Sequence, residues 1–341
     1  MKPLSIQPIP YQGSKRSLAP RICQLIPDGV ETLYEPFAGS AAITIYAATH
    51  NQAERFVIGD SFGVLIDLWE MIIERPSELS ERYSDVWHAQ LDNPHHFNEV
   101  RAAYNDNADP VQLLYLVARC VKNAVRFNKH GHFTQSADKR RTGMKPDKVT
   151  RTVHNVSNLL KGRVELYKGD FETCIRNARP SDFVYMDPPY QGTSYGPDKR
   201  YAAQLERDTL IKALHRLDTR DVPYVLSYDG RTGDKTYGDP LPDSVNAHLL
   251  EISAGRSSQA TLNGSAAETV ESLYVSHGLS FLTWLYRRNS RKSAYSHSFF
   301  LISAAISIDW ASASVLSLSN CPVSPPVQTT STRRDCVSAM G

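Results

Sequence analysis

Four consecutive residues, Asp187, Pro188, Pro189 and Tyr190, have the chemistry to hold a planar ring that carries an NH2 group, such as a nucleobase. They follow an apolar run, 182–186, that predicts a buried strand. Because proline has a fixed φ and no N–H, the chain must leave the sheet there in a rigid turn. Open α/β sheets bind ligands at that edge. An ordinary strand-end turn with a structural tyrosine is the alternative reading.

A second pattern predicts a site for an adenosine-type cofactor. A predicted strand, 32–34, leads through Glu35-Pro36-Phe37-Ala38-Gly39-Ser40 into a helix predicted over 44–48. The strand predicted over 55–60 ends in Asp60, about 20 residues after Gly39, the spacing at which a carboxylate meets ribose hydroxyls. A third strand, 164–167, is followed by Asp170 and Phe171, which are suited to an adenine ring.

The chain that must position these residues has 341 residues and is 41% hydrophobic, which is enough for a sizeable core. Its net charge of +2 does not by itself indicate nucleic acid. The 5 cysteines are widely spaced and include no CxxC pair, which predicts a reducing, cytoplasmic location and argues against disulfides or structural zinc. We find no secretory signal in residues 1–10.

Positive charge is concentrated between residues 119 and 163, where Lys and Arg greatly outnumber the two acids, Asp138 and Asp147. Phe127 and Phe133 lie within this stretch, together with two histidines. Basic residues mixed with aromatic ones suit a phosphate backbone with bases beside it. A solvated basic face would show the same composition, and the sequence leaves both readings open.

Taken in order, the motifs resemble a known family. Tyr11-Gln12-Gly13-Ser14-Lys15-Arg16, the Glu35 to Ser40 motif, Gly169-Asp170-Phe171 and the Asp187 to Tyr190 motif look like those of the Dam-type (D12, alpha-class) DNA adenine-N6 methyltransferases. The similarity runs from about residue 9 to 276 and includes a final hairpin near 255–258 and 271–273. Ala41 stands where the family usually has a second glycine, and we expect its methyl group to narrow the cofactor turn.

The resemblance implies an α/β fold: a Rossmann-like S-adenosylmethionine-dependent methyltransferase sheet with an inserted, mostly helical DNA-recognition domain. The catalytic domain would comprise residues 1–62 and 150–277, and the target-recognition insert residues 63–149, with helices predicted over 67–73 and 110–123. Residues 278–341 would form a poorly ordered extension. Its apolar run, 299–318, is interrupted by Asp309, so we expect no membrane anchor.

The resemblance also implies roles for particular residues in binding S-adenosyl-L-methionine. Lys15 would pair with the methionine carboxylate, Asp60 would bind the ribose, and Asp170 would bind the adenine. Taken alone, Lys15 could be a surface lysine and Asp170 a strand-end cap. The full set of candidate cofactor residues is Tyr11, Lys15, Phe37, Ala38, Gly39, Ser40, Asp60, Asp170 and Phe171.

For catalysis, Asp187 and the Pro188 carbonyl would accept the hydrogens of the adenine N6 amine, and Tyr190 would stack on the base. The target adenine must be flipped out of double-stranded DNA to reach them. No metal is expected, and His88, His95 and His96 are interpreted as surface or loop residues. The candidate DNA contacts are Arg126, Asn128, Lys139, Arg140 and Arg141.

Two other functions remain open. An RNA or protein amide N-methyltransferase would use a similar sheet, although such enzymes usually carry Asn at the position of Asp187. An inactive DNA-binding regulator could keep the same fold. Many relatives belong to restriction–modification systems, in which a cognate restriction endonuclease acts separately, while others are solitary or phage enzymes, so the sequence leaves this partner open.

Overall fold

Five strands that run parallel to one another form the centre of the sheet: β1 (Val30–Glu35), β2 (Ala53–Asp60), β3 (Val164–Lys168), β4 (Phe183–Met186) and β5 (Tyr224–Ser227). Their order is β3-β2-β1-β4-β5. The predicted α/β class and the strands predicted before each motif are therefore confirmed.

The computed structural model describes residues 6–189, 205–232, 235–236, 239–256, 268–277 and 279. Tyr190 and almost all of the expected extension lie outside these described residues, and so does the apolar run 299–318. The described residues belong to one compact unit. None of the helices in this part of the chain is long and apolar enough to cross a membrane.

Antiparallel strands extend the sheet beyond β5. They are β6 (Arg231–Thr232), β7 (Lys235–Thr236), β8 (Ala247–Arg256) and β9 (Glu268–Ser276). β9 pairs with β5, β6 and β8, so the final hairpin expected from the sequence is present and sits directly beside the parallel strands. This arrangement brings Glu271 of β9 close to the edge of the sheet where β4 ends.

Both faces of the parallel strands are buried. In β4, Phe183 and Tyr185 belong to one hydrophobic core, whereas Val184 and Met186 belong to a second core on the opposite face. Parallel strands covered on both faces are apolar along their whole length and do not alternate between apolar and polar residues. This explains why residues 182–186 appear in the sequence as a continuous apolar run.

Helices cover the two faces. On one face lie α8 (Phe171–Cys174) and α9 (Arg207–Thr219), with Leu210, Leu214 and Leu217 of α9 in the core. On the other face lie α1 (Ala19–Ile22) and α2 (Ala42–Thr49), followed by the helices of the expected insert.

The helices between β2 and β3 are α3 (Gly63–Glu74), α4 (Pro76–Ala89), α5 (His96–Asn107), α6 (Pro110–Arg119) and α7 (Pro146–Leu160). Proline opens three of them, because its missing N–H costs nothing at the first helical position. The helix predicted over 110–123 ends at Arg119, since Cys120 is extended and a 3-10 turn follows. The expected boundary at 149/150 falls inside α7.

The strand order reverses between β1 and β4, which makes this pair the topological switch point of the sheet. β1 ends at Glu35 and β4 ends one residue before Asp187. The loops that leave such neighbouring strands diverge to opposite faces and open a crevice between them. The Glu35 to Ser40 motif and the motif that begins at Asp187 therefore face the same crevice.

We predict that Gly59→Ala will lower the free energy of unfolding by about 1–3 kcal/mol, because the interior of β2 has no room for a methyl group. A Cβ atom at Gly59 would lie 2.6 Å from Cys174 Sγ and 3.3 Å from Pro36 Cα. Urea denaturation measures the effect. The control is Gly63→Ala at the start of α3, where the nearest neighbour is the flexible Lys168 side chain at 3.0 Å. Equal losses in both variants would contradict this explanation.

Candidate active site

A cavity of about 680 Å³ occupies the crevice at the switch point. All nine candidate cofactor residues line it, and so do Asp187, Pro188 and Pro189. Tyr190 falls outside the described residues. The volume lies within the range of about 300–1,000 Å³ that is common for small-molecule and cofactor sites. Residues from the N-terminal turn (residues 11–17), from the ends of the four parallel strands β1 to β4 and from the insert thus converge on one site.

Lys15 forms a buried ion pair with Asp187 at the centre of this site. The Lys15 ammonium lies 2.8 Å from Asp187 Oδ1 and 3.1 Å from Glu271 Oε1. Its side chain is only 11% exposed, so it is not the surface lysine that the sequence left as an alternative. Glu271, which lies on β9, was not among the residues predicted from the sequence.

The protonation of Asp187 depends on opposing influences. Burial raises its pKa most, the Lys15 ammonium lowers it, and the Glu271 carboxylate raises it again, so that its pKa is about 6. Burial alone would lower the pKa of Lys15, but Asp187 and Glu271 together raise it above its usual value. The Lys15 ammonium is thus shared by two carboxyl groups, those of Asp187 and Glu271.

The turn after β1 is held from both sides. The Ala38 N–H donates to the Gly59 carbonyl at 2.9 Å, and the Ser40 and Ser14 hydroxyls are 2.7 Å apart. Gly39 has φ of +50°, which favours glycine, and a Cβ atom there would lie 3.6 Å from the Tyr11 ring. The backbone of this turn therefore faces the cavity, and the Tyr11 ring covers it at Gly39.

The expectation for Ala41 was wrong. Its side chain is fully buried and does not line the cavity, so the methyl group does not narrow the cofactor turn. Instead, Ala41 has φ 45° and ψ 45°, the left-handed conformation that costs an L-residue about 1–2 kcal/mol. The replacement of the family's usual glycine thus affects backbone strain at the start of α2.

Glu35 is a buried acid that belongs to the Glu35 to Ser40 motif, but the sequence did not predict a role for it. Its carboxylate accepts N–H bonds from Ile43 at 3.4 Å and from Thr44 at 2.8 Å, at the beginning of α2. Burial raises its pKa to about 7, although the N–H bonds oppose this. Glu35 therefore joins the end of β1 to the start of α2. The feature of the sequence that could have indicated this role is its position as the first residue of the motif.

Asp60 ties the tip of β2 to the same turn. One carboxylate oxygen accepts the Gly39 N–H at 3.1 Å, and the other accepts the Phe62 N–H at 2.9 Å. Burial raises its pKa despite these bonds. Because each carboxylate oxygen has two lone pairs, both retain capacity for a further hydroxyl donor.

Asp170 caps helix α8, as the alternative reading proposed. Its side chain accepts the Thr173 N–H at 2.8 Å, and this bond lowers its pKa. The neighbouring Phe171 packs on Phe37 with ring centroids 5.0 Å apart. Both residues line the cavity, so the capping role and a role in binding a flat ring are compatible.

The insert supplies one wall of the cavity. Val125 and Phe127 line it, and the Phe127 ring meets Phe62 edge-on with centroids 5.2 Å apart. The Gln12 N–H donates to the Asn123 carbonyl at 3.0 Å. This bond joins the N-terminal turn to the start of the hairpin in the insert that contains Phe127 and Asn128. Neither Val125 nor Phe127 was predicted as a site residue.

The candidate DNA contacts do not line the cavity. The Asn128 carboxamide oxygen accepts the backbone N–H groups of His130 at 2.9 Å and of His132 at 3.1 Å, so it closes the tip of a hairpin. Arg126 and Asn128 alternate with the inward-facing Val125 and Phe127 along one extended segment. Arg126 and Asn128 are half-buried, next to these two residues of the cavity wall.

Asp138 forms ion pairs with two of the other candidate DNA contacts, Arg140 and Arg141. It pairs with Arg140 at 3.0 Å and with Arg141 at 3.2 Å, and Arg141 also donates to the Cys120 carbonyl at 2.9 Å. The hydrogen bond from Arg140 holds the pKa of Asp138 down, at about 2. Lys139 is exposed between them.

The three histidines differ in exposure. His88 and His95 are exposed, as expected, but His96 is half-buried and its Nε2 lies 2.8 Å from the Val86 carbonyl. The expectation of a surface position is therefore wrong for His96, because the turn into α5 packs it against α4. The described residues contain no group of three or more His, Cys, Asp or Glu placed to hold a metal ion.

An open α/β sheet with a nucleotide-sized cavity at its switch point defines a Rossmann-like class of enzyme. A family model for the D12 class N6 adenine-specific DNA methyltransferases matches residues 11–257, which is most of the chain. The chain belongs to this family. It is an adenine-specific DNA methyltransferase whose reaction requires a methyl donor.

Related proteins share a low percentage of identical residues with this chain, but over more than half of its length. The chain is 23% identical over 281 residues to the Type II methyltransferase M1.LlaDCHI of Lactococcus lactis subsp. cremoris, covering 77% of this chain and 94% of that protein. It is 29% identical over 205 residues to M.CviBI of Paramecium bursaria Chlorella virus NC1A, covering 58% and 72%. It spans only 43% of M.FokI of Planomicrobium okeanokoites, at 23% identity.

We predict opposite outcomes for two substitutions in the cofactor turn. Gly39→Ala should raise the dissociation constant for S-adenosylmethionine by about tenfold, because φ at Gly39 is strained for alanine and the new methyl group lies under the Tyr11 ring. Ala41→Gly should leave that constant within about twofold, since the Ala41 side chain does not face the cavity. Isothermal titration calorimetry measures both. A larger effect at position 41 than at position 39 would contradict the geometry.

Proposed function

We propose that this protein transfers a methyl group from S-adenosyl-L-methionine to N6 of an adenine flipped out of double-stranded DNA. The observation that carries the proposal is the convergence of all nine candidate cofactor residues and Asp187 on one cavity at the switch point. We further propose that it is the modification enzyme of a restriction–modification system, since the relatives reported above include proteins named Type II methyltransferases.

The residues present fit S-adenosylmethionine as the methyl donor. Asp60 keeps acceptor capacity beside the Gly39 turn, which suits ribose hydroxyls. Phe37 and Phe171 form an aromatic wall beside Asp170, which suits the adenine ring. The two carboxyl groups that share the Lys15 ammonium suit a cationic sulfonium nearby. Lys15 remains our proposed partner for the methionine carboxylate, and Tyr11 covers the turn.

Asp187 is the residue that we propose acts on the substrate amine. When bound, S-adenosylmethionine supplies a methyl group whose bond to sulfur breaks as the bond to N6 forms, which leaves N6 positively charged. Asp187 and the Pro188 carbonyl would accept the N6 hydrogens and orient the amine. Asp187 is mostly ionised at neutral pH, so it can then take the proton that N6 must lose. Tyr190 would stack on the flipped base.

We propose that residues 63–149 read the DNA while residues 1–62 and 150–277 carry the chemistry. Support comes from the hairpin in which Arg126 and Asn128 are the sequence neighbours of Val125 and Phe127 in the cavity wall. Lys139, Arg140 and Arg141 lie on the same insert and suit phosphate contacts. The contact between Phe62 and Phe127 would link recognition to the catalytic cavity.

A transfer assay separates the candidate functions. Purified protein is incubated with S-[methyl-³H]adenosylmethionine and with duplex DNA, RNA or protein, and labelled DNA is digested to nucleosides. We expect label in N6-methyladenine from duplex DNA. Label in RNA or protein alone would favour the other methyltransferase class, and DNA binding without transfer would favour the regulator. Resistance of the methylated DNA to an endonuclease encoded beside this gene would test the restriction–modification assignment.

We predict that Asp187→Asn will lower the rate of methyl transfer by at least about 10²-fold, the size of a general-base contribution, because the amide cannot accept the N6 proton. Binding of S-adenosylmethionine should stay within about tenfold. The control is Asp182→Asn, which lies directly before β4 at the opposite edge of the sheet, where Asp182 accepts the N–H groups of Thr32 and Arg179. That variant should lose stability but keep its turnover per folded molecule. Near-normal turnover by Asp187→Asn would remove this carboxylate from the mechanism.

We predict that Lys139→Ala will weaken DNA binding and reduce the slope of log affinity against log salt by about 0.9, the value for one lost phosphate contact. Fluorescence anisotropy over a salt series measures the slope. The control is Lys212→Ala, which removes an exposed lysine from α9 on the other face of the sheet and should leave the slope unchanged. Identical slopes for Lys139→Ala and the parent protein would contradict the proposed DNA surface.

A further inference from the structure

Glu271 places a second buried carboxylate on the lysine that holds Asp187. Its side chain is 9% exposed, and its Oε1 lies 3.1 Å from Lys15 Nζ. It belongs to β9, an antiparallel strand that pairs with β5 and lies outside the parallel part of the sheet. Glu271 is not among the described residues that line the cavity, so its contact with Lys15 is the link that we follow from Glu271 to Asp187.

Two carboxylates that share one ammonium differ physically from a simple ion pair. An ammonium at 2.8 Å stabilises the charged form of Asp187 and thereby weakens it as a proton acceptor. The Glu271 charge acts in the opposite direction on the same group and draws on the same ammonium. The charged and titratable groups that face Asp187 are Lys15 from the N-terminal turn, Glu271 from β9, Tyr185 from β4 and Glu35 from β1.

The reaction requires Asp187 to have intermediate acceptor strength. As the S–C bond breaks and the N6–C bond forms, the positive charge moves from sulfur to N6, and one N6 proton must then leave. Asp187 lines the cavity directly after β4 and is the carboxylate that we propose receives this proton. If Lys15 belonged to Asp187 alone, that carboxylate would be a poorer base, and without Lys15 it would be protonated before the reaction began.

We propose that Glu271 is a positioning residue for methyl transfer: by holding the Lys15 ammonium jointly with Asp187, it keeps Asp187 ionised yet basic enough to take the N6 proton. This inference rests on the proposed function. A purely structural role, in which Glu271 only anchors β9 to the N-terminal turn, is the competing explanation, and the two differ in what they predict for the pH dependence of catalysis.

The test compares pH–rate profiles for single-turnover methyl transfer, which excludes product release from the measured rate. In the parent protein, the rate should rise with pH as Asp187 loses its proton near pH 6. Glu271→Gln removes the charge that raises the pKa of Asp187, so the acidic limb should move to lower pH. The plateau rate should fall by about tenfold because Asp187 becomes a weaker base.

Two further variants keep the test independent of folding. Glu271→Asp retains the charge, so its acidic limb should stay close to that of the parent. Glu251→Gln, on the neighbouring β8, removes a carboxylate whose partner is Arg231 at 3.2 Å on the protein surface, and it should match the parent in both limb and plateau. Glu271→Gln keeps the size of the side chain and leaves Lys15 paired with Asp187, so we expect it to fold.

The outcomes separate the proposals. A lower acidic limb in Glu271→Gln, restored in Glu271→Asp, supports the inference. An unmoved limb in Glu271→Gln overturns it, whether or not that variant is less stable, and leaves the proposed function in place. If the parent protein produces no N6-methyladenine at any pH, the proposed function itself fails and the inference fails with it.

Discussion

A carboxylate buried at the tip of a parallel strand needs a compensating charge, and in this protein the Lys15 ammonium supplies it to Asp187 at 2.8 Å. Removing one partner of a buried ion pair leaves an uncompensated charge that is strongly destabilising. The pair therefore fixes the N-terminal turn against the end of β4. Because Tyr11 and Ser14 belong to the same turn and contact the loop after β1, this interaction also determines the shape of the cofactor cavity.

Other acids that line the cavity accept hydrogen bonds from backbone N–H groups. Glu35 accepts N–H bonds at the start of α2, Asp60 accepts those of Gly39 and Phe62, and Asp170 caps α8. Each carboxylate thus holds one loop at the carboxyl edge of the sheet in place. A cavity whose walls are fixed in this way loses less conformational entropy when it binds a ligand, which is the advantage of preorganisation.

The insert is coupled to the catalytic sheet by specific contacts. The Trp69 indole N–H in α3 donates to the Gly39 carbonyl at 3.1 Å, and Phe127 of the hairpin packs edge-on against Phe62. α3 also packs on β2 and β3, and α7 packs on both α2 and α4. The hairpin and the turn after β1 are therefore both joined to the insert's helices or to the sheet by packed side chains.

The strands β1 to β4, the turn after β1 and the Asp187 motif could be predicted from the sequence, because they depend on local features: apolar runs, glycine, proline and the order of motifs. The nine candidate cofactor residues were also predicted, and the structure brings them to one cavity. The folded chain was needed to see that Lys15 contacts Asp187, 172 residues away, that Glu271 shares that lysine, and that the buried Ala41 side chain is not among the residues that line the cavity. Such contacts depend on how strands and loops from distant parts of the chain meet, and side-chain direction at a left-handed residue depends on backbone geometry, so neither leaves a pattern in the local sequence.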